Sequence, residues 1–399
     1  MEYIPFITSP KARDLVKKIY SDSEIAHVSL ELAEKMTIPS GLRVWLDPGV
    51  DGLDDLESRR SRPAKNETDK DKKNNWYEVI RDISGFEEVG DPTFWKRPDP
   101  AVTSKFVGEI LDRCRNLKPA WITVPQLPIV DDSARNKINR ALAKAAGDWK
   151  SSRSFPGWLI LPLIFTHQRQ INGKTQRNPK IVLAQHCYRE ARADGYWVVD
   201  SSLSDESGSR TLRNTRIPAI IDLHRELDAA ITSSTRIAGP YWGLSLVLWA
   251  RGLVDYAAIG VGSTYQYHLS GRPGGKTAAT RIAIGALRRR VNVAQLRPWF
   301  EKTLKKIGPK HPEYEKLEKI QNRLTYLTEV DMAREQVARF YKDWLQVMAT
   351  TPTPGRSLAL FQDLAKAYSF GRSLDDFPKL EGTARRPESV VEPLMLNCV

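Results

Sequence analysis

Short apolar runs separated by helix-like segments fill the first 262 residues of the chain. The runs are rich in Val, Ile and Trp, and most are continuous rather than alternating. Continuous apolar runs are typical of strands that are buried on both faces, as in parallel sheets. The pattern predicts eight strands, at Tyr3–Ile7, Ile25–Leu30, Leu42–Leu46, Trp121–Val124, Trp158–Phe165, Tyr196–Val199, Arg236–Ala238 and Tyr256–Val261.

Most of the segments between these strands carry helix start or stop residues. Ser9 and Asp99 each precede a proline, which is the pattern of an N-cap followed by a first-turn proline. Another helix is predicted to end at Gly147, and the next to open at Asn178-Pro179. Strands that alternate with helices predict an α/β fold, a (β/α)8 TIM-like barrel, with a doubly wound open sheet as the alternative.

Two regions depart from this alternation. Residues 50–100 are rich in charge and proline, so we predict an insertion after the third strand that is partly mobile. Its aromatic residues indicate that the second half packs back onto the body; they are Trp76, Tyr77, Phe86, Phe94 and Trp95. Helices are predicted near Ala286–Ile307, Pro312–Leu327, Asp331–Met348 and Ser357–Phe370, followed by about 25 irregular residues. The predicted units are a barrel of residues 1–263 and a basic loop with a helical region over 264–399.

Composition narrows the class of protein. The chain has 399 residues, of which 41% are hydrophobic and 27% charged, as in ordinary globular proteins. Three cysteines are too few for a disulfide framework. No signal segment follows Met1, and the longest apolar run, Ile237–Ala250, is too short to span a bilayer. We expect a soluble cytoplasmic protein that does not contact a membrane.

The positive charge is concentrated in one segment. The formal net charge is +13, and the segment from Thr264 to Lys310 holds eleven Lys and Arg against the single acid Glu301, a balance of +10. Tyr, Trp and Phe are interleaved with these cations, which is typical of a surface that binds DNA or RNA. The alternative is a solvated basic face. The candidate phosphate-binding cations are Arg272, Lys276, Arg281, Arg288, Arg289 and Arg290.

Candidate catalytic residues lie where predicted strands end. Catalytic groups of (β/α)8 barrels occupy the carboxyl ends of the strands. Asp47, Asp200 and His167 each fall at such an end. Two carboxylates and a histidine at one face could divide into an acid, a base and a nucleophile. The alternative is that each Asp caps the adjacent turn.

Glycines after the eighth strand provide a second candidate site. Gly260 and Gly262 would let backbone N–H groups approach a phosphate. The later run Gly271–Thr277 lacks the spacing of a nucleotide-binding Walker loop. The spacings of His and Cys that bind zinc are absent as well, so we predict no cofactor. Mg²⁺ bound by carboxylates is the alternative that stays open.

Two short stretches resemble known families. The opening Tyr3-Ile-Pro-Phe6 followed by a helix resembles the phage-encoded beta family of barrel-like proteins. The Asp47-Pro-Gly49 turn, the late glycines and the basic segment are similar to tRNA-guanine transglycosylase-type barrels. In that family one Asp, in an Asp-Ser-Gly-Gly-Phe context, activates the base and a second is the nucleophile. Pro48 and Val50 depart from that motif and the zinc-binding cysteines are absent, so the resemblance implies a barrel and a nucleic-acid partner more than base exchange.

Three functions follow from these observations. The first is an enzyme of transglycosylase or glycosylase type, a transferase-like barrel that uses Asp47 and Asp200 on a glycosidic bond of DNA or RNA. The second is a non-catalytic subunit that binds nucleic acid or a protein partner in a mobile-element or phage-defence assembly. The third is a barrel enzyme for a small phosphorylated metabolite, for which the basic segment is incidental.

Overall fold

The structure is a computed structural model of the whole chain. It describes residues 3–39, 41–55, 79–203, 210–232, 234–261, 267, 280–294, 296–378 and 385–398.

Eight parallel strands close into a barrel in sequence order. Each strand pairs with its neighbour along the chain, and the last pairs with the first, with Phe6 opposite Gly260. This confirms the (β/α)8 prediction and excludes the open sheet. The strands are β1 (Tyr3–Ile7), β2 (Ile25–Ser29), β3 (Arg43–Asp47), β4 (Trp121–Thr123), β5 (Trp158–Phe165), β6 (Gly195–Asp200), β7 (Thr235–Ala238) and β8 (Tyr256–Gly260).

Large apolar side chains fill the barrel interior. Trp45 and Trp197 are fully buried there, and Phe6 is 3% exposed. The Trp45 indole donates a hydrogen bond to Thr123 Oγ1 at 2.9 Å, so its polar atom is satisfied inside the barrel. The interior is therefore a packed core, as is usual for barrels of this size.

The helices pack around the barrel and after it. Ser9 and Asp99 cap the first turns of two of them through side-chain oxygens, as predicted. Their bounds are α1 (Pro10–Ile19), α2 (Leu30–Lys35), α3 (Phe86–Val89), α4 (Pro92–Trp95), α5 (Pro100–Asn116), α6 (Ser133–Ser152), α7 (Lys174–Ala191), α8 (Arg210–Ala230), α9 (Leu244–Ala250), α10 (Leu296–Ile307), α11 (Tyr314–Asn322), α12 (Val330–Ala349), α13 (Thr353–Arg372) and α14 (Val391–Met395).

Two predicted helix boundaries were wrong. The sixth helix continues past Gly147, because this glycine serves close packing rather than termination: a Cβ there would lie 2.1 Å from the carbonyl oxygen of Glu190 on α7. The seventh helix begins at Lys174, and Pro179 lies inside its first turns. In the sequence, a glycine at a close contact between helices looks like the end of a helix. A proline in the first turns of a helix looks like its start.

A β-hairpin replaces the start of the helix predicted from Ala286. Its strands are β9 (Arg281–Ile284) and β10 (Arg289–Asn292), and the helical segment begins only at Leu296. Arg288 ends the connecting turn with a φ of +47°. The three consecutive arginines concealed this strand in the sequence.

The C-terminal helices share the core of the barrel. The hydroxyl of Tyr20 on α1 donates a hydrogen bond to the carbonyl oxygen of Ala338 on α12 at 2.9 Å. Lys342 of the same helix pairs with Asp22 beside β1. Tyr341 and other side chains of α12 belong to the same hydrophobic cluster as the barrel helices. The predicted boundary at residue 263 therefore separates residues that share this cluster, although most of the hairpin, α10 and α11 belong to a hydrophobic cluster of their own.

The second half of the insertion packs back onto the body, as predicted. Phe86 and Trp95 are 2% and 3% exposed, whereas Trp76 and Tyr77 lie outside the described residues. The C-terminal stretch that was predicted to be irregular contains α14, where Val391 and Leu394 are buried. Within the described ranges, no helix is long and apolar enough to cross a membrane.

Candidate functional site at the barrel mouth

The carboxyl ends of the eight strands lie at one end of the barrel, which we call the mouth. Asp47 is the last residue of β3, Asp200 the last of β6 and Gly260 the last of β8. In barrels of this kind the active site is built at this end. The side chains found there decide which chemistry the fold can support.

Asp47 contacts a buried histidine of the neighbouring strand. Its Oδ2 lies 3.3 Å from Nε2 of His27, and its Oδ1 accepts the backbone N–H of Gly49 at 3.0 Å. The two side chains are only 8% and 7% exposed. Among the described residues no hydrogen bond uses Nδ1 of His27. A carboxylate that orients one ring nitrogen and leaves the other available is the arrangement of a histidine that transfers protons.

Aromatic rings surround His27. Its imidazole stacks on Phe6 with ring centroids 3.9 Å apart, and the Trp45 ring meets it edge-on at 4.6 Å. Trp197 lies across the barrel at 5.4 Å. These rings fix the plane of the imidazole and exclude water from its faces, while Asp47 supplies a polar contact at its edge.

A second carboxylate lies beyond the end of β3. Asp51, in the 3₁₀ segment Val50–Asp55, is 3% exposed, and its Oδ2 accepts a hydrogen bond from the hydroxyl of Tyr267 at 3.1 Å. The Tyr267 ring packs edge-on against Trp197 with centroids 5.1 Å apart. The loop after β8 therefore brings a tyrosine hydroxyl and a carboxylate to the same aromatic cluster that holds His27.

Asp200 is engaged in an internal ion pair. Its Oδ2 accepts a hydrogen bond from Nε of Arg216, and both side chains are 1% exposed. Its Oδ1 accepts from the backbone N–H and the hydroxyl of Ser202 at 2.9 and 2.6 Å. The Asp200 N–H donates to the hydroxyl oxygen of Tyr241, and burial raises the pKa of that tyrosine. The charge of the carboxylate is balanced by Arg216, and both of its oxygens accept hydrogen bonds. The geometry therefore gives Asp200 a structural role and does not support the predicted catalytic one.

His167 lies at the surface and apart from the contacts of His27. It precedes the 3₁₀ segment Gln168–Gln170, and its carbonyl oxygen accepts a hydrogen bond from Nη2 of Arg216 at 3.0 Å. Arg216 thus joins the backbone of His167 to Asp200. The predicted acid–base role of His167 has no geometric support beyond its position near the mouth.

The three consecutive arginines contact the protein's own interior. Arg288 forms a bidentate ion pair with Asp363, with both distances 2.7 Å. Arg289 is fully buried and donates to the carbonyl oxygens of Arg386 and Pro387. Arg290 is 1% exposed beneath the ring of Trp242. The buried guanidinium groups of Arg289 and Arg290 do not meet phosphates, and that of Arg288 is held by Asp363, so this part of the predicted nucleic-acid surface is not supported.

The remaining candidates divide in two groups. Gly260 lies at the mouth opposite Phe6, and Arg281 is a half-buried residue of β9 that pairs with Asn292. Three further candidates lie outside the described residues; they are Gly262, Arg272 and Lys276. Across the ranges that the structure describes, no group of three or more His, Cys, Asp or Glu side chains is placed to hold a metal ion.

Sequence reasoning missed His27, Asp51, Tyr267 and Arg216. Only His27 had a detectable pattern. It lies two residues after Ile25, on the same face of a mostly apolar strand, and it pairs with Phe6 and Trp45 on the neighbouring strands. A single polar residue on the inward face of a barrel strand marks a polar position in the core. The contacts of the other three depend on loops and helices whose placement the local sequence does not encode.

Comparisons with known proteins add no family to this description. No protein-family model matches the sequence, and no curated protein matches it either.

Proposed function

We propose that this protein is a barrel enzyme in which His27 transfers a proton at the mouth and Asp47 positions it. The observation that carries the proposal is the contact between Asp47 Oδ2 and His27 Nε2 at 3.3 Å, at the carboxyl end of parallel strands. The contact fixes the orientation of the imidazole, which is what an acid–base histidine requires. Asp47 acts through His27 and is therefore a positioning residue.

We further propose a glycosidic bond of a nucleoside in DNA or RNA as the bond that is broken. The choice of bond follows the resemblance to transglycosylase-type barrels, and the hydroxyl of Tyr267 beside the Asp51 carboxylate supports it. The rings of Phe6, Trp45 and Trp197 pack against one another in the barrel core and hold this site in shape. In hydrolysis, water would add to the sugar carbon while His27 accepts its proton. The Tyr267–Asp51 pair would return a proton to the departing base, so one proton is taken and one is given.

Nucleic acid remains the proposed partner, and within the predicted basic segment the proposed contact surface moves from Arg288, Arg289 and Arg290 to other cations. Exposed cations of the C-terminal region support it: Arg297 and Lys305 on α10, and Lys310 after it, are exposed. Among the described residues none of the three has a carboxylate partner. A protein partner and a cytoplasmic location belong to this proposal as well, and a non-catalytic nucleic-acid-binding subunit is the alternative.

The test is the release of free base from synthetic DNA and RNA oligonucleotides, measured by liquid chromatography. The parent chain is compared with Asp47→Asn and with Asp148→Asn, an exposed position on α6 that serves as the control. Asp47→Asn should reduce kcat by about 100-fold with little change in KM, the scale of lost acid–base assistance. Oligonucleotide binding without base release from the parent chain would contradict the enzyme and favour the binding subunit.

A further inference from the structure

A cavity of about 850 Å³ lies in the C-terminal region, apart from the barrel mouth. Its walls come from α12 and α13, from the residues that begin α11, and from the turn of the β9–β10 hairpin. We call it the helical-region cavity. Its volume is in the range of about 300–1,000 Å³ that is usual for small-molecule sites. None of its lining residues takes part in the site described above.

Aromatic rings form two of its walls. Phe340 and Trp344 of α12 lie on one side and Phe370 of α13 on another. The guanidinium of Arg288 lies 5.5 Å from the centroids of both Phe340 and Trp344, and the ring of His311 lies 5.1 Å from that of Phe370. Flat apolar walls with polar groups at their edges favour a planar ring as the ligand.

Hydrogen-bond donors line the same space. Arg288 uses Nε and Nη2 to bind Asp363, and no hydrogen bond among the described residues uses its Nη1. Nδ1 of His311 accepts the backbone N–H of Glu313 at 3.1 Å. A neutral imidazole that accepts at Nδ1 carries its proton on Nε2, so His311 presents a donor there.

Glu313, which lines the cavity, also has an unsatisfied acceptor. Oε1 of Glu313 accepts a hydrogen bond from Lys316 at 3.0 Å. Its Oε2 is buried and, among the described residues, has no hydrogen-bond partner. An unpaired buried carboxylate oxygen is unfavourable, and a ligand N–H that met it after a rotation of the Glu313 side chain toward the cavity would remove that cost.

The charges that line the cavity balance. Three cations face three carboxylates: Arg288, Lys316 and Lys366 against Glu313, Asp343 and Asp363. The cavity has no excess positive charge that would attract a polyphosphate. An uncharged ligand with both hydrogen-bond donors and acceptors would pair with the carboxylates and with the cations. We infer that the helical-region cavity binds an uncharged planar heteroaromatic compound of the nucleobase or nucleoside class.

The inference is tested by calorimetric titration of the full chain with guanosine. Guanine offers adjacent N–H donors to a carboxylate and two acceptors, O6 and N7, to Arg or His donors. The parent should bind guanosine and not ribose. Glu313→Gln should weaken binding by about tenfold or more, as expected when a hydrogen bond to a charged group is removed. Glu315→Gln, an exposed position in the first turn of α11, is the matched control and should bind like the parent.

Further variants separate this site from the mouth. Phe370→Leu should weaken binding while retaining a cooperative melt, and His27→Gln should leave guanosine binding unchanged because His27 lies in the barrel. Absence of binding to the parent at millimolar guanosine would overturn the inference. Equal affinity of the parent and Glu313→Gln would overturn it too, and loss of binding in His27→Gln would place the ligand at the mouth instead. Base release from oligonucleotides is measured separately, so either proposal can fail alone.

Discussion

His27 Nε2 and Asp47 Oδ2 lie 3.3 Å apart on adjacent strands, inside the barrel and near its carboxyl end. The register produces this contact. His27 pairs with Trp45, and Ser29 pairs with Asp47. Asp47 therefore lies two residues after Trp45 on β3, and its side chain is on the same face of the strand. Its carboxylate therefore reaches back to the imidazole from the mouth. This relationship places an imidazole and a carboxylate in contact near the end of the barrel where barrel enzymes carry out catalysis.

Asp200→Asn is expected to reduce stability strongly. The substitution breaks the buried ion pair between Asp200 and Arg216, and breaking a buried ion pair from one side typically costs about 3–5 kcal/mol. The measurement is the free energy of unfolding in urea. The exposed substitution Asp148→Asn should change it by no more than about 0.5 kcal/mol.

Replacing both partners is the control for that prediction. Asp200→Asn combined with Arg216→Met removes both charges of the ion pair, so it should recover part of the stability. An Asp200→Asn protein as stable as the parent would show that the ion pair does not hold β6 and α8 together.

Nucleic-acid binding should depend on exposed cations of the C-terminal region and not on the buried arginines. Replacing Arg297, Lys305 and Lys310 with Ala should lower the slope of log K against log salt by roughly 0.7–0.9 for each phosphate that is no longer neutralised. Fluorescence anisotropy with a labelled oligonucleotide measures this slope. Lys144→Ala on α6 is the exposed control. An unchanged slope in the triple variant would exclude this surface.

His224 should make the fold sensitive to acid. Its ring is fully buried, and neither nitrogen has a hydrogen-bond partner among the described residues. Burial, aided by the charge of Arg236, lowers its pKa from 6.5 to about 3. The unfolded chain therefore binds a proton below pH 6.5 that the folded chain does not bind, so stability present above pH 6.5 is lost as the pH falls toward 3.

The size of that loss follows from the pKa difference. At about 1.36 kcal/mol per pKa unit, His224 should account for up to about 4 kcal/mol between pH 7 and pH 3. His224→Leu should flatten the dependence of the unfolding free energy on pH, whereas the exposed control His186→Gln should not. Identical pH profiles for the parent and His224→Leu would refute this role of His224.

A chain that ends at residue 263 is expected not to fold cooperatively. It lacks α12, whose Ala338 carbonyl accepts the Tyr20 hydroxyl and whose Lys342 pairs with Asp22. It would also expose the barrel side chains that pack against Tyr341 and Trp344. Circular dichroism during thermal unfolding measures the loss of cooperativity. A sharp transition like that of the full chain would show that the barrel is an independent unit.

The strands could be predicted because each is a continuous apolar run bounded by turn residues, as in Trp158–Phe165 and Tyr196–Val199, and burial on both faces demands that composition. The hairpin could not be predicted, because Arg289 and Arg290 are buried against residues that are distant in the sequence, among them Pro387 and Trp242.

The candidate site was only partly predictable. Asp47 follows a strand in the sequence, and its position at the mouth agrees with that prediction. Asp200 follows a strand as well, but its partner Arg216 comes from the next helix, and this contact changes its chemistry. His27 interrupts an apolar run and could have been noticed, but its contact with Asp47 depends on the register between β2 and β3, which the sequence does not show.

The central claim is that His27 and Asp47 act as one catalytic unit, and a double-mutant cycle on base release tests it most directly. Groups that act together are strongly non-additive in their effects on kcat. His27→Gln and Asp47→Asn should each reduce kcat by about 100-fold or more, and the double variant should be no slower than the slower single variant. Independent effects that multiply in the double variant, or single variants as active as the parent, would contradict the account.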